Sequence, residues 1–416
     1  MNAAPALPTL PFRTWDWIDK IAIAALGAIG LPLASWGIAA TGTLRHRRGS
    51  NPRRVPLSRI PKLLQPITFR AVTAKNRIVV SPMCQYSAID GLGQDWHIQT
   101  LGAKAMGGAG IVFTEATHIA PEARITPYCL GLWNDAQEAF MTRLATLISY
   151  GGAIPAIQIA HAGRKASTVA PWEGERHIAP DAPGGWLPAA PSAIPYAPDR
   201  PNPHAMTEGD IATTIRQFAE TAGRAYRAGF KIVELHAAHG YLLHEFLSPI
   251  SNHRTDRYGG DLAARARLLM EVLDAVRAVW PAELPVFVRL SCTDWIEGGH
   301  TIEDSVTLAR WLRERGDVDL IDCSSAGIAP QQKIASVHPG YQVPFAERIR
   351  REAGIATGAV GMIREPELAA EIIANERADL VFLARALLAD PAWPNRAASH
   401  FGLKPELVPQ YQRALI

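Results

Sequence analysis

Glu234-Leu235-His236-Ala237-Ala238-His239-Gly240-Tyr241-Leu242-Leu243-His244-Glu245-Phe246-Leu247-Ser248-Pro249 is a stretch in which an apolar strand gives way to a glycine, with polar residues gathered at the exit. Two imidazoles three residues apart, with a phenol two residues further on, offer an oxyanion grip and an acid. Histidine, neutral or protonated, donates hydrogen bonds to a carbonyl oxygen gaining negative charge, and a tyrosine hydroxyl can deliver a proton to the adjoining carbon. His236, His239 and Tyr241 are therefore the candidate catalytic residues. On this run alone two plainer readings stay open: His-x-x-His also suits a metal, and histidines can be satisfied core residues.

Working outward, the same pattern of an apolar strand followed by an amphipathic stretch recurs from about residue 60 to the end. Candidate strands are 78–83, 110–116, 154–160, 231–236, 285–291, 320–324, 355–361 and 378–384. They are short and rich in Val and Ile, and they alternate with helical stretches such as 211–228 and 262–279, which predicts parallel strands buried on both faces. Eight such units close into a (β/α)8 TIM barrel of the α/β class, with its site at the carboxyl ends of the strands. An open doubly wound sheet is the alternative, although no Gly-x-Gly-x-x-Gly turn follows the first strand.

One segment breaks the rhythm. Residues 171–203 hold nine prolines together with Trp172, Trp186 and Tyr196, so regular helix or sheet is not expected there. An ordered excursion after the third strand, forming a lid over the barrel mouth that contributes to substrate choice, is expected instead.

The front of the chain differs from the rest. Residues 21–44 form a charge-free run of 24 residues, with Trp15 and Trp17 before it and Arg45-His46-Arg47-Arg48 after it. That length reaches a bilayer span, and the positive-inside rule would tether the catalytic body to the inner, cytoplasmic face. A cleaved leader and a segment that never meets a membrane are the alternatives. The division expected is a 1–56 extension and a 57–416 catalytic domain. The overall charge of +3 hides an asymmetry: residues 1–54 carry seven basic against two acidic residues, which leaves the remainder at −2. A slightly acidic body offers no footprint for nucleic acid. Four widely spaced cysteines, Cys84, Cys129, Cys292 and Cys323, form no C-x-x-C pair and read as reduced thiols.

Several further stretches sit at the ends of the proposed strands: Ser81-Pro82-Met83-Cys84-Gln85-Tyr86, Gln158-Ile159-Ala160-His161-Ala162-Gly163-Arg164-Lys165-Ala166, Asp322-Cys323-Ser324-Ser325 and Thr357-Gly358-Ala359-Val360-Gly361-Met362-Ile363. With the opening run and its continuation Ser251 to Asp261, they resemble, in order, the motifs of the Old Yellow Enzyme family of flavin-dependent ene-reductases, in its thermophilic-like bacterial branch. The resemblance covers about residues 60–416 and implies FMN as cofactor, NADPH or NADH as electron donor, and an activated alkene as substrate.

The resemblance also implies roles. Ser81, Pro82, Met83, Cys84, Ala116 and Gln158 would contact the flavin, with Cys84 tuning its redox behaviour, and Tyr86 would reach the substrate. Arg289 would lie by the edge of the ring, where a fixed cation stabilises the anionic reduced form. Gly361, Met362, Ala384 and Arg385 would hold the phosphate after strands seven and eight, each pair just before a helical stretch. The family usually has glycine where this chain has Ala384, and binding survives that change if the backbone there does not need a positive φ. Arg413, in Gln410-Tyr411-Gln412-Arg413, would project into a neighbouring subunit's site, implying a dimer or tetramer. The resemblance gives no resident metal. The rival readings are a cofactor-free or metal-assisted barrel hydrolase or aldolase using the same histidines, and a catalytically idle tethered flavin-binding module.

Overall fold

The computed structural model describes residues 60–174 and 176–415. All eight expected strands are present: β1 (Ile78–Val80), β2 (Ile111–His118), β3 (Ile154–Ala160), β4 (Ile232–Ala237), β5 (Val286–Ser291), β6 (Leu320–Ser324), β7 (Thr357–Ala359) and β8 (Leu380–Leu383). They are parallel and pair in chain order. β8 returns to β1 through Val381↔Ile78, Phe382↔Val79 and Leu383↔Val80, which closes the barrel and removes the open-sheet alternative. Every residue of these strands is buried except Ile154, as expected for strands covered by helices outside and side chains inside.

Periodicity alone misplaced some boundaries. The helix expected from residue 211 begins at Glu208, because Thr207 Oγ1 accepts from the Asp210 amide while the Asp210 carboxylate accepts from the Thr207 amide. The seventh strand is shorter than expected, since Gly361 at φ 124° and Met362 at φ 55° turn the chain away from the sheet. The next helix starts only at Pro366, so the expectation of a helix directly behind Gly361-Met362 fails.

The barrel interior is stacked in two zones. Its lower part is apolar: Phe113, Phe287 and Phe382 meet at centroid distances of 6.4 and 5.9 Å. An antiparallel hairpin, Ile67–Phe69 with Val72–Ala74, plugs this end by placing Phe69 5.2 Å from Phe287, edge to face. The upper zone is polar and charged, and it faces the site.

The proline-rich excursion is ordered, and it holds slightly more regular structure than expected. A 3-10 turn spans Pro171–Glu173, and Ala189–Ala190 pairs with His204–Ala205. Trp172, although 69% exposed, meets Tyr86 edge to face at 5.6 Å, and Arg124 lies over the half-buried Trp186 at 5.4 Å. The charge-free run 21–44 lies outside the described residues. Among the described residues no helix is long and apolar enough to cross a membrane.

Replacing Phe287 by Ala removes the ring shared by the plug and the barrel wall, and should destabilise the protein by about 3–5 kcal/mol. Urea unfolding of both proteins measures this; a loss below about 1 kcal/mol would mean that the lower zone is not close-packed.

Candidate active site

Strand register brings the candidate residues together. Across the barrel, Ala116 on β2 pairs with Gln158 on β3, and Gln158 pairs with Glu234 on β4. Two residues further up β4, His236 pairs with Arg289 on β5, and Arg289 pairs with Asp322 on β6. Arg289 is a charge inside an otherwise apolar strand, and such a group must find a partner. Its Nε lies 3.0 Å from Asp322 Oδ2, while Gln158 Nε2 donates to Glu234 Oε1 at 2.8 Å. Burial and the neighbouring Asp322 charge push the Glu234 carboxyl well above the usual carboxylate range, so it holds its proton.

The strand exit after β4 is tightly turned. His239 has φ 59° and Gly240 φ 71°; a Cβ on Gly240 would sit 2.0 Å from the Gly327 carbonyl oxygen, which restricts the position to glycine. The rings of His236 and His239 lie 5.1 Å apart and nearly perpendicular, and Tyr241 meets His236 edge to face at 4.9 Å. His236 Nδ1 accepts from the Ala238 amide at 3.3 Å, so a neutral ring carries its proton on Nε2. His239 Nε2 and Ser324 Oγ are 2.7 Å apart, and the His239 amide donates to Ser291 Oγ at 2.9 Å. Burial, then the Arg289 charge, lower the pKa of both histidines well below the ordinary value. Of the two protonation states the sequence left open, this environment favours the neutral one. Arg289 and Lys165 beside them also oppose a metal cation, so the metal reading of His-x-x-His loses its electrostatic basis.

The third histidine of the run has a different task. His244 Nδ1 accepts from the Gly240 amide at 2.9 Å, and its Nε2 lies 2.9 Å from Asp294 Oδ1 with both side chains fully buried. Burial opposes the charge on Asp294, yet His244, the Ser248 hydroxyl at 2.6 Å and the His300 amide at 2.7 Å outweigh it and hold this carboxyl below its usual range. His244 thus ties the catalytic turn to a buried acid.

The other expected residues surround this centre. Tyr86, at φ 50°, faces the mouth, and the partly buried Cys84 packs with Tyr86, Tyr241 and Cys129. Burial, then the Glu115 charge, keep the Cys84 thiol protonated. Ser81 follows β1, its amide donating to the Leu383 carbonyl at 3.0 Å, and Ser81 and Met83 line a small recess floored by Phe113. On the far side a cavity of about 100 Å³ is lined by Tyr341, Gln342, Gly361, Met362, Ala384 and Arg385. Ala384 has φ −108°, so the position does not require the positive φ that would favour glycine. Arg413 is not beside this site. Its segment packs on the helix Asp135–Tyr150, where Gln410 Nε2 donates to the Tyr150 hydroxyl at 2.6 Å.

These residues fit a flavin mononucleotide. An amide is available to the pyrimidine edge at Gln158, a buried guanidinium stands at Arg289, and the cavity beside Arg385 suits a phosphate. A Cβ on Gly361 would approach Gln342 to 3.2 Å, so the bare backbone is what leaves the cradle open.

Comparison with known proteins agrees. The model of the NADH:flavin oxidoreductase / NADH oxidase family matches residues 62–404. NADPH dehydrogenase of Halalkalibacterium halodurans is 46% identical over 355 residues, covering 85% of this chain and 98% of that protein. The Bacillus subtilis NADPH dehydrogenase is 43% identical over 354 residues, covering 85% and 98%. The solved structure of morphinone reductase superposes with a TM-score of 0.68 at 28% identity, covering 84% of this chain and 92% of that one. The chain belongs to the NADH:flavin oxidoreductase family, the group that includes the Old Yellow Enzymes, and it is an FMN-dependent oxidoreductase. The hydrolase and aldolase readings fall with that assignment.

Sequence reasoning gave no role to Glu234, Asp322, Lys165, His244 or Asp294. Glu234 and Asp322 carried a signal, each being a lone charge in a strand buried on both faces; their pairing required the register.

Two predictions follow from this geometry. His244→Leu strands the Asp294 charge and should cost about 3–5 kcal/mol in urea unfolding; a loss under about 1 kcal/mol would show that the pair does not hold the turn. Burial lowers His118 to about 4, His161 to about 3 and His300 to about 4. These groups stay neutral in the fold and gain protons near 6.5 when unfolded, so their stabilisation is complete above about pH 6.5 and is lost as pH falls towards 4 to 3. Glu245 and Asp322, which burial raises to about 8 and about 6, pull the other way over the same window; the histidines' share is isolated by His118→Asn, which should make the urea midpoint fall less, relative to the unsubstituted protein, between pH 6.5 and 4.

Proposed function

We propose that this chain is an ene-reductase, reducing the activated C=C bond of α,β-unsaturated carbonyl or nitro compounds in a ping-pong cycle fed by NADPH or NADH. The observation that carries the reading is the convergence of two neutral imidazoles and a phenol at the end of β4, with a buried guanidinium on the adjacent strand. When bound, FMN supplies hydride acceptance from the nicotinamide and hydride donation to the β-carbon of the alkene.

The protein's own groups account for the rest. His236 Nε2–H and the free ring nitrogen of His239 donate to the carbonyl or nitro oxygen as charge builds on it, and a preorganised donor in a dry site acts without rearranging solvent. Neutral rings grip the oxygen through hydrogen bonds alone and leave the protonation of carbon to Tyr241. The Tyr241 hydroxyl delivers the proton to the α-carbon, and its ring is held between His236 and the Lys165 ammonium, 5.0 Å from the ring centroid. Tyr86 closes the opposite side. Gln158 would hold the pyrimidine edge of the flavin, Arg289 would offset negative charge on it, and Ser81, Pro82, Met83, Cys84 and Ala116 would line its bed. Gly361, Met362, Ala384 and Arg385 take the phosphate.

Two assignments rest on the sequence alone. Residues 21–44, in a 1–56 extension, tether a cytoplasmic catalytic domain to the membrane; and Arg413 enters a neighbouring subunit's site in a dimer or tetramer. Recovery of the full-length protein wholly in a detergent-free soluble fraction would remove the first. Truncation after Pro409 with unchanged oligomer size and enone affinity would remove the second.

The purified protein should be yellow, bleach anaerobically with NADPH and regain colour with 2-cyclohexenone. His236→Ala should slow reoxidation by the enone roughly a hundredfold, about 3 kcal/mol. Tyr241→Phe should slow turnover while leaving flavin reduction by NADPH intact; undiminished enone turnover in that variant would refute the proton-donor role.

A further inference from the structure

Glu115 is a buried acid on β2 to which the proposed cycle gives no task. The pairing of β2 with β3 slips its register between Phe113 and Ala116, and Glu115 lies inside the slip. An irregularity of this kind re-aims a side chain beside a site. Here the carboxylate turns into the recess under the β1 exit, which it shares with Ser81, Met83, Gln85 and His97.

A buried carboxylate must be met by donors, and three segments converge on this one. Its Oε2 accepts from the Gln85 amide, and its Oε1 accepts from the Leu130 amide at 3.2 Å. His97 Nε2, on the helix Asp95–Met106, lies 3.5 Å from the same Oε1. Leu130 ends a compact loop in which the Thr126 amide donates to Cys129 Sγ at 3.3 Å, and the Ala88 amide donates to the Tyr128 carbonyl at 2.9 Å, so the two loops also touch directly. Burial, then the Glu115 charge, raise the Cys129 thiol to about 12 and push that of Cys84 up as well, which marks the carboxylate as a neighbour of both.

Gln85 is the point at which this grip reaches the site, because its amide stands between Cys84 and Tyr86. Its side chain is fixed too: Nε2 donates to the Met83 carbonyl at 2.8 Å, and Oε1 accepts from Trp96 Nε1 at 3.0 Å. Tyr86 follows at φ 50°, a conformation that a non-glycine residue keeps only where its surroundings hold it. Its ring lines the mouth beside Ile125 and Thr126. We propose that Glu115 is a positioning residue for the alkene pocket, tying the Gln85 amide to the Leu130 loop and thereby setting Tyr86 against the substrate. This rests on the ene-reductase reading above.

The test is stopped-flow reoxidation of the reduced FMN holoenzyme by 2-cyclohexenone at varied concentration, which separates the enone's apparent Kd from the limiting rate. Glu115→Gln keeps the shape but offers one acceptor oxygen where two amides need two. The apparent Kd should rise about tenfold, the size of one lost charged contact, while the limiting rate stays within about twofold because His236, His239 and Tyr241 are untouched. In a Tyr86→Ala background the same substitution should change the Kd by less than about twofold, since the residue it acts through is gone.

An unchanged Kd overturns the proposal. So does an equal fall in the limiting rate, or a full effect without Tyr86, either of which would make Glu115 a general support of the fold. Amide hydrogen exchange on the unsubstituted holoenzyme decides the matter should the variant fail to fold: the Gln85 amide should be protected at least about a hundredfold, and exchange at the rate of an unstructured peptide overturns the proposal. Protein that takes up no FMN would sink the flavin reading; yellow protein whose enone Kd ignores Glu115→Gln would sink only this one.

Discussion

A guanidinium inside a closed barrel is the constraint on which the site depends. Arg289 lies on β5 between His236 and Asp322, its register neighbours on β4 and β6. Removing such a charge from water is costly unless it is paired, and Asp322 supplies the pairing at 3.0 Å. With Glu234 nearby there are two carboxyl groups for one cation, so one of them keeps a proton, and burial together with the Asp322 charge selects Glu234. The same guanidinium lowers the proton affinity of His236 and His239, second only to burial. One buried cation therefore disfavours protonation of both imidazoles and stands where it would also stabilise negative charge on a bound ring.

Much of this was legible in the sequence, for identifiable reasons. A parallel strand buried on both faces is a short apolar run, and eight of these between amphipathic helices leave few topologies besides closure. Residues at strand exits were legible too, because a polar cluster after an apolar run has one place to go. Helix starts were less legible: Glu208, Gly209 and Asp210 lack apolar periodicity, and only the Thr207–Asp210 capping box explains the extra turn. Pairings were illegible. Asp322 is 33 residues from Arg289 in the chain, and nothing local says that register sets them side by side. Lys165 was visible within a quoted motif, but its cage is completed by Tyr196 from a segment with no periodicity to read.

The histidines of the opening run show the same limit at closer range. His236, His239 and His244 look alike in sequence, and spacing alone does not divide them. The strand alternates its side chains and then ends, leaving His236 and His239 at the mouth, whereas His244 lies in the short helix Leu242–Leu247, whose turn brings its ring back to the Gly240 amide. Two consecutive residues in the left-handed region make that reversal, and a non-glycine residue such as His239 tolerates it only when its surroundings hold it there. Those surroundings are Lys165 on the His239 carbonyl, Ser291 on its amide and His244 on the next amide.

A single side chain ties that turn to the mouth above it. Lys165 braces the His239 carbonyl, stands over the Tyr241 ring and lines the cavity above. A lysine is suited to such a post: its single ammonium on a flexible stem divides its hydrogens between the His239 and Gly327 carbonyls while lying against two aromatic faces, whereas the planar fork of an arginine would fix its donors in one plane.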